Sequence, residues 1–573
     1  MVKMARVSKH TAWLRSFKYF GGGVVVIIIS LWVSNQFNLR WDLTEEKRYT
    51  LTEATTNLLK EIEGDFEITV YLEGDDLPAG IKNIRNHTRD LLEDMRRTTK
   101  GKLKYTFVDI NTIKNTNEKK KTQTKLIEHG ILPVNLEVNT ETGYSEKLIY
   151  PGAIVKGNNR ELGFTILENQ MIFGAHGAME NSLNFLEYKV INTIDKLMQE
   201  RIPTIAFLQG HGEVGVNHVS DFLETLTKQN FSIKKIEIGK DRLLDGKTDV
   251  LIVAKPTEEF SEDHKFILDQ YILRGGKVLW LIDQVIADMD SFRIAPSIFS
   301  IPRNNNLDDL LFRYGVRVNN DLVLDLYCVP VPIVEEIAGN PTPKLYPWVF
   351  YPMVRGDQDN LIVKNLDPVL LKFPSSIDTL ASKGIQKTVL LSSSQNSRIQ
   401  NIPFQIALEG ARQRPLPELF NQKDVPMAVL LEGEFASHYA HRAVQSQKDL
   451  MEHEQQNILV QAEAPAKMIV VSDGDVIVNE TDPSGRPLPL GYYRIDRKTY
   501  ANKDFLLNAV EYLVDRSNLI SARNRDISMR VLDREQVQDQ KGLWQFITVA
   551  LPIPIILLFG WFFNYRRRSK YSN

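Results

Sequence analysis

Two uncharged runs interrupt a chain that elsewhere mixes polar and apolar positions. From Tyr19 to Leu39 (YFGGGVVVIIISLWVSNQFNL) and from Gly542 to Asn564 (GLWQFITVALPIPIILLFGWFFN) there is no Asp, Glu, Lys or Arg. As helices, each is long enough to cross about 30 Å of hydrocarbon, where one central charge would cost roughly 2.5–3.5 kcal/mol. The pattern predicts two transmembrane helices. The second should bend at Pro552 and Pro554, which lack backbone donors and leave carbonyls that neighbouring protein would satisfy.

Between the runs the periodicity changes. Thr50 and Glu53 stand in capping-box relation, and Leu51, Ala54, Leu58, Leu59 and Ile62 recur at helical spacing, so residues 40–65 predict a juxtamembrane helix beginning about ten residues outside the membrane. FEITVYLEG, an amphipathic helix over 79–99, KLKYTFVDIN, a short helix over 118–129, VNLEV and a hairpin-like pair around GYSEKLIYPGAIV follow in the order β-α-β-α-β-β. Residues 66–200, ending in a long helix over 181–200, therefore read as a thioredoxin-like domain. From Pro203 onward, strands TIAFLQ, FSIKKIEI, DVLIVA and KVLWLID alternate with helices over 217–229 and 261–274. Nearly all-apolar strands of this kind belong to parallel sheets covered on both faces, so residues 201–520 predict a flavodoxin-like domain with insertions. AKMIVVSDG and FLLNAVEYLV close that domain, and a charged linker (521–541) leads to the second span (542–564) and a basic tail (565–573).

Charge orients the chain. Lys3, Arg6, Lys9, Arg15 and Lys18 precede the first span and Arg566, Arg567, Arg568 and Lys570 follow the second, with no acid among them, which keeps both ends in the cytoplasm. A cleaved signal peptide shares the basic start, but no small-x-small site follows Val33, so the segment reads as an uncleaved anchor. The chain carries 70 Lys and Arg against 72 Asp and Glu, and nine of the bases sit in those flanks, so the exported part is mildly acidic and a poor match for nucleic acid. Cys328 is alone, which excludes an intramolecular disulfide and a C-x-x-C redox pair. A large exported body without bridges fits a bacterial periplasm. No G-x-x-x-x-G-K-[ST] pattern occurs, so nucleotide hydrolysis belongs to another polypeptide.

Candidate chemistry collects where parallel strands end, because ligands of such sheets lie outside the carboxyl ends. Gly210-His211-Gly212-Glu213, Asp283 and Ser472-Asp473-Gly474-Asp475 are expected there, lining one crevice able to take a small ligand or ion. Against this stand plainer readings: a glycine turn with His211 capping backbone groups, and an ordinary strand-end loop at SDGD. The SDGD carboxylates suit a divalent cation by their oxygen chemistry alone, and the residues specify no metal centre and no cofactor. From Tyr327 to Tyr351 five prolines interleave with Tyr346, Trp348, Phe350 and Tyr351. Such a stretch is excluded from regular helix and central sheet, and reads either as rigid turns offering aromatic partner contacts or as a loop folded on its own core. Lys114, Lys119, Lys120, Lys121 and Lys125 form a basic patch, a solvated loop or a contact for anionic lipid. Residues 438–464 read as a solvated, helix-prone excursion.

The stretch Asp42-Leu43-Thr44 and Arg48-Tyr49-Thr50-Leu51-Thr52, behind an N-terminal anchor, resembles the juxtamembrane signature of the GldG family, auxiliary membrane subunits of a gliding-motility ABC transport system in the Bacteroidetes. The resemblance extends in order and spacing to a domain opening TIAFLQGHGE and a C-terminal span with a basic tail. It implies a non-ATPase auxiliary or substrate-binding member, in the inner membrane, working with a permease of the GldF type and an ATPase of the GldA type, and supporting gliding from the periplasm. It also implies a class I glutamine-amidotransferase-like second domain, one the family is held to share with an intraflagellar-transport subunit. Amidotransferases of that shape use a cysteine on a tight strand-to-helix turn. Here Cys328 falls in LYCVPVP, far from any G-x-C-x-G elbow, so the chain is expected not to be an enzyme. A structural connector to cell-envelope machinery and a membrane-tethered hydrolase or amidotransferase are the alternatives.

Overall fold

The computed structural model describes residues 21–25, 50–74, 77–140, 143–167, 174–337, 340–440, 445–515, 519, 522 and 534–571. The chain divides into two compact units, residues 1–525 and 526–573. Both are α-helical or mixed α/β, and the first holds every described sheet.

The first unit opens with helix α1 (Glu53–Glu61), followed by β1 (Phe66–Val70), α2 (Ala79–Thr98), β2 (Leu103–Phe107), α3 (Thr116–Glu128), the hairpin β3 (Val134–Thr140) and β4 (Gly143–Ile149), then β5 (Gly152–Gly157), β6 (Arg160–Thr165) and α4 (Gly174–Met198). Four strands form a sheet in the order β2-β1-β5-β6, parallel between β1 and β2 and antiparallel beyond. The cap of α1 differs from the sequence expectation. Thr52, not Thr50, is the N-cap and accepts from the Thr55 N–H at 3.3 Å, because Glu187 on α4 accepts both the Thr52 N–H (2.8 Å) and hydroxyl (2.9 Å). Leu58, Leu59 and Ile62 are buried as the stripe predicted, while Leu51 and Ala54 stay half-exposed.

The larger sheet contains β7 (Thr204–Gln209), α5 (Ser220–Lys228), β8 (Ser232–Glu237), β9 (Val250–Ala254), α6 (Glu262–Leu273) and β10 (Val278–Leu281). Further on come β11 (Cys328–Ile337), β12 (Asn340–Gly356), β13 (Ile385–Ser392), β14 (Pro426–Gly433), β15 (Ala466–Val471) and α7 (Asn502–Val514). Among the described residues its strand order is β11-β12-β13-β14-β15-β10-β9-β7-β8, with Val369–Leu370 paired to β12. From β15 to β8 every pairing is parallel. Alternate side chains divide between the two faces: Ile205, Phe207, Ile252, Leu279 and Leu281 pack under α5 and α7, whereas Ala206, Leu208, Leu251, Val253 and Trp280 pack under α6.

The expectation of a parallel sheet is corrected for its other half, where β14, β13, β12 and β11 are added antiparallel. The Tyr327–Tyr351 stretch, expected as turns or loop, is the outermost ribbon of this half. Its prolines are tolerated because β11 is an edge strand and β12 pairs with β13 only at Arg355 and Gly356, so the missing N–H groups break no ladder with a further neighbour. Residues 438–464 are not a purely solvated excursion. They contain a helix, Gln445–Glu454, whose Met451 is buried and whose buried Glu454 carboxylate accepts from the N–H groups of Leu243 (3.1 Å) and Leu244 (2.8 Å). Residues 441–444 lie outside the described residues.

The second unit runs as helix Arg534–Gln545, a π-helical turn Phe546–Ala550, and helix Pro552–Tyr571. Its widened turn precedes the two prolines, with the Leu551 N–H donating to Phe546 O at 2.9 Å, five residues back. Gln540–Ser569 is, among the described residues, the one helix long and apolar enough to cross a membrane. Of the predicted first span only 21–25 are described, as helix. The rest of that span and the Asp42–Thr44 and Arg48-Tyr49 parts of the signature lie outside the described residues.

Candidate functional site

The loop after β7 is a turn that glycine makes possible. Gly210 and Gly212 have φ of 108° and 70°, and a Cβ on Gly212 would stand 2.1 Å from Thr257 Oγ1. That close approach lets His211 O accept from the N–H groups of Thr257 (3.0 Å) and Glu258 (2.9 Å), while the Thr257 hydroxyl donates to Gly212 O at 2.9 Å. The His211 ring lies flat on Phe260, centroids 3.7 Å apart, with Nδ1 3.1 Å from Glu213 Oε1 and Nε2 2.8 Å from His264 Nδ1. The His211 backbone N–H donates to the other Glu213 oxygen at 2.7 Å. Both side chains are buried. Burial works to raise the Glu213 carboxyl, but the hydrogen bonds from His211 outweigh it and hold the pKa below the usual value. Burial, and then the neighbouring His211, hold His264 below an ordinary imidazole. The three side chains thus form a hydrogen-bonded chain from a buried carboxylate through His211 to a half-buried imidazole.

The second cluster forms where β9, β10 and β15 end side by side. Asp283, Asp473 and Asp475 bring carboxylate oxygens within 4.8 Å of one another, a spacing able to hold a cation. A cation of the chain's own reaches them: Lys255 Nζ lies 2.5 Å from Asp475 Oδ1 and 3.3 Å from Asp283 Oδ2. Burial acts against its charge, yet Asp283 and Asp475 raise the ammonium's pKa. Asp283 and Asp473 are themselves pushed up, first by burial. Their oxygens also pin backbone: Asp473 accepts from the Lys372 and Asp475 N–H groups, each at 2.7 Å, and Asp283 from the Gly474 N–H at 2.5 Å. A Cβ on Gly474 would press on the Lys255 side chain at 2.7 Å.

The seven crevice candidates are thus drawn into two clusters, joined through the loop that carries both Lys255 and Thr257. A cavity of about 670 Å³ opens beside the second, lined by Asp475, Tyr351, Lys372, Glu480 and Arg494 among others, but not by His211 or Glu213. Of the partner-contact candidates, Trp348, Phe350 and Tyr351 are buried in a cluster with Phe373 and Tyr493, whereas Tyr346 is half-exposed and its hydroxyl bonds Glu335. Pro552 and Pro554 are exposed on the second unit's helix. Burial pushes the Cys328 thiol up to about 12, the opposite of an activated nucleophile. Lys255 and His264 are absent from the sequence expectations. A lysine directly after the all-apolar DVLIVA strand was the available signal for the first.

A family model for an ABC-type uncharacterized transport system, ABC_transp_aux, matches residues 202–509, more than half of the chain. The chain belongs to this family. The ABC_transp_aux segment begins just before β7 and ends within α7, so it contains the whole larger sheet and both clusters. Membership makes the chain an auxiliary component of an ABC-type transport system, associated with that system's other subunits. A domain of unknown function, DUF7088, matches residues 45–156, from before α1 into β5. No curated protein matches the chain. Among solved structures, the mmIFT52 N-terminal domain is similar at 15% identity and a TM-score of 0.30, covering 57% of this chain and 100% of its own. The exo-beta-1,4-mannosidase Op5Man5 from Opitutaceae bacterium strain TAV5 is similar at 10% identity and a TM-score of 0.19, covering 61% and 40%. Those scores are too low to inform the fold.

Proposed function

We propose that this chain is the non-catalytic, exported subunit of an ABC transporter complex that supports gliding motility. Its apolar helices hold it to a permease of the GldF type, an ATPase of the GldA type supplies the energy, and its folded domains project into the periplasm. The single observation that carries the transporter assignment is the ABC_transp_aux match over 202–509. The membrane placement is supported by the apolar helix Gln540–Ser569, and the gliding system by the DLT and RYTLT stretches. The strand order β8-β7-β9-β10-β15, which is second-first-third-fourth-fifth along the chain, supports reading the larger domain (201–520) as flavodoxin-like. The order β2-β1-β5-β6 supports reading residues 66–200 as thioredoxin-like. A passive role is supported by Lys255, which neutralises the acidic cluster from within, and by the raised thiol of Cys328.

The test is affinity purification of the full chain from detergent-solubilised membranes. Recovery of a permease and an ATPase, together with loss of gliding when the chain is deleted, is expected. Recovery of neither partner, or substrate turnover by the purified chain alone, would overturn the reading.

A further inference from the structure

Helix α3 turns lysines and aliphatic residues outward together. Leu126 is fully buried and marks its inner side. On a helix of 3.6 residues per turn, Lys120 and Ile127, seven apart, then share an outer strip with Lys121 beside it. Ile127 is 44% exposed, and Leu132, in the loop that follows, is 60% exposed. At the other end, Lys119 Nζ donates to Asn111 Oδ1 at 3.3 Å, and the Asn111 amide reaches Leu148 O on β4, itself an exposed aliphatic residue. Residues 111–135 hold five lysines against Glu118 and Glu128, in a chain whose acids outnumber its bases. Lys125 is paired with Glu161 at 2.7 Å and Lys119 donates to a neutral amide, while Lys114, Lys120 and Lys121 are exposed and leave positive charge on this face.

Charge alone describes a solvated face, but solvent leaves large aliphatic side chains uncovered. A surface that takes both is the headgroup layer of an anionic bilayer, which attracts lysines over about a Debye length and buries neighbouring aliphatic groups in the acyl boundary. The chain's connectivity brings that surface within reach. Thirteen residues separate Leu39, the end of the first apolar run, from Glu53, the start of α1, a span of at most about 50 Å fully extended.

We propose that Lys114, Lys120 and Lys121, with Ile127 and Leu132, dock the first domain onto an anionic membrane surface. This rests on the membrane-subunit reading above. The full chain is placed in nanodiscs of phosphatidylcholine alone or with phosphatidylglycerol, with an environment-sensitive fluorophore on Leu132→Cys. Cys328, the chain's one native cysteine, is replaced by Ser so that the label sits at position 132 alone. Emission should be blue-shifted and shielded from an aqueous quencher only with the anionic lipid, and shielding should fall several-fold at high salt. The combined K114Q, K120Q and K121Q variant, which leaves Leu126 and the core intact, should lose it similarly. Equal emission in both lipids, or shielding that survives the three substitutions, would overturn the proposal, the latter pointing to aliphatic contact with protein. A chain that fails to float with lipid at high salt would overturn the membrane-subunit reading, and the docking with it.

Discussion

A single half-buried lysine settles the chemistry of the acidic cluster. Three aspartates converge at the ends of β10 and β15, and Lys255 compensates them from a neighbouring loop, so removing it leaves carboxylates buried without a counter-charge. Lys255→Met should lower stability by about 3–5 kcal/mol, read from the urea midpoint of unfolding. A midpoint unchanged from the parent would show that water or solvent cations already compensate the cluster. His264 provides a second test. Its pKa is held down in the folded chain, so the unfolded chain takes up the proton first as pH falls through about 6.5, and the His264 contribution to stability is lost from there downward. The stability difference between the parent and His264→Gln should therefore shrink as pH falls from 7 to 5, measured by denaturant unfolding at each pH. The presence of histidine and aspartate at strand ends was legible in the sequence. Their partners were not, since Lys255 and Asp475 stand 220 residues apart and meet only because β9, β10 and β15 are adjacent.

Among the elements, turns and edges show where local pattern sufficed. Glycines at 210 and 212 announce a tight turn, and the structure adds that Gly212 is held against Thr257. Gly212→Ala should therefore cost more than the roughly 1–2 kcal/mol that a left-handed backbone alone imposes on alanine. Gly239→Ala, at φ 87° with nothing near its Cβ position, should cost only that amount, and parallel thermal denaturations compare the two. The proline ribbon β11–β12 was misjudged from proline content because proline is compatible with a strand wherever no neighbour needs its N–H, and whether a strand lies at an edge is a property of the sheet. The cap of α1 slipped from Thr50 to Thr52 for a related reason: its anchoring carboxylate, Glu187, comes from 135 residues away.

In the whole first unit, α4 and α7 are tied by a buried polar knot. Glu511 accepts from Lys196 at 2.7 Å, Tyr188 at 2.8 Å and Asn192 at 3.0 Å, with both charges less than a tenth exposed. Glu511→Ala leaves the ammonium buried, and should cost about 3–5 kcal/mol and speed amide exchange along α4 while the amides of β9 stay slow. Exchange rates along α4 equal to the parent's would refute a role for this knot in joining the helices. By itself the sequence determined the apolar runs, the two-faced burial of the parallel strands, the absence of a disulfide and the turn at GHGE, because each depends on neighbours along the chain or on composition. Only the tertiary structure decided the antiparallel half of the sheet, the division of the crevice candidates into two clusters, the burial of Trp348, Phe350 and Tyr351, and the pairing of Lys255 with Asp283 and Asp475. Those outcomes depend on which strand ends and side chains become neighbours in space, and no local period or propensity encodes that adjacency.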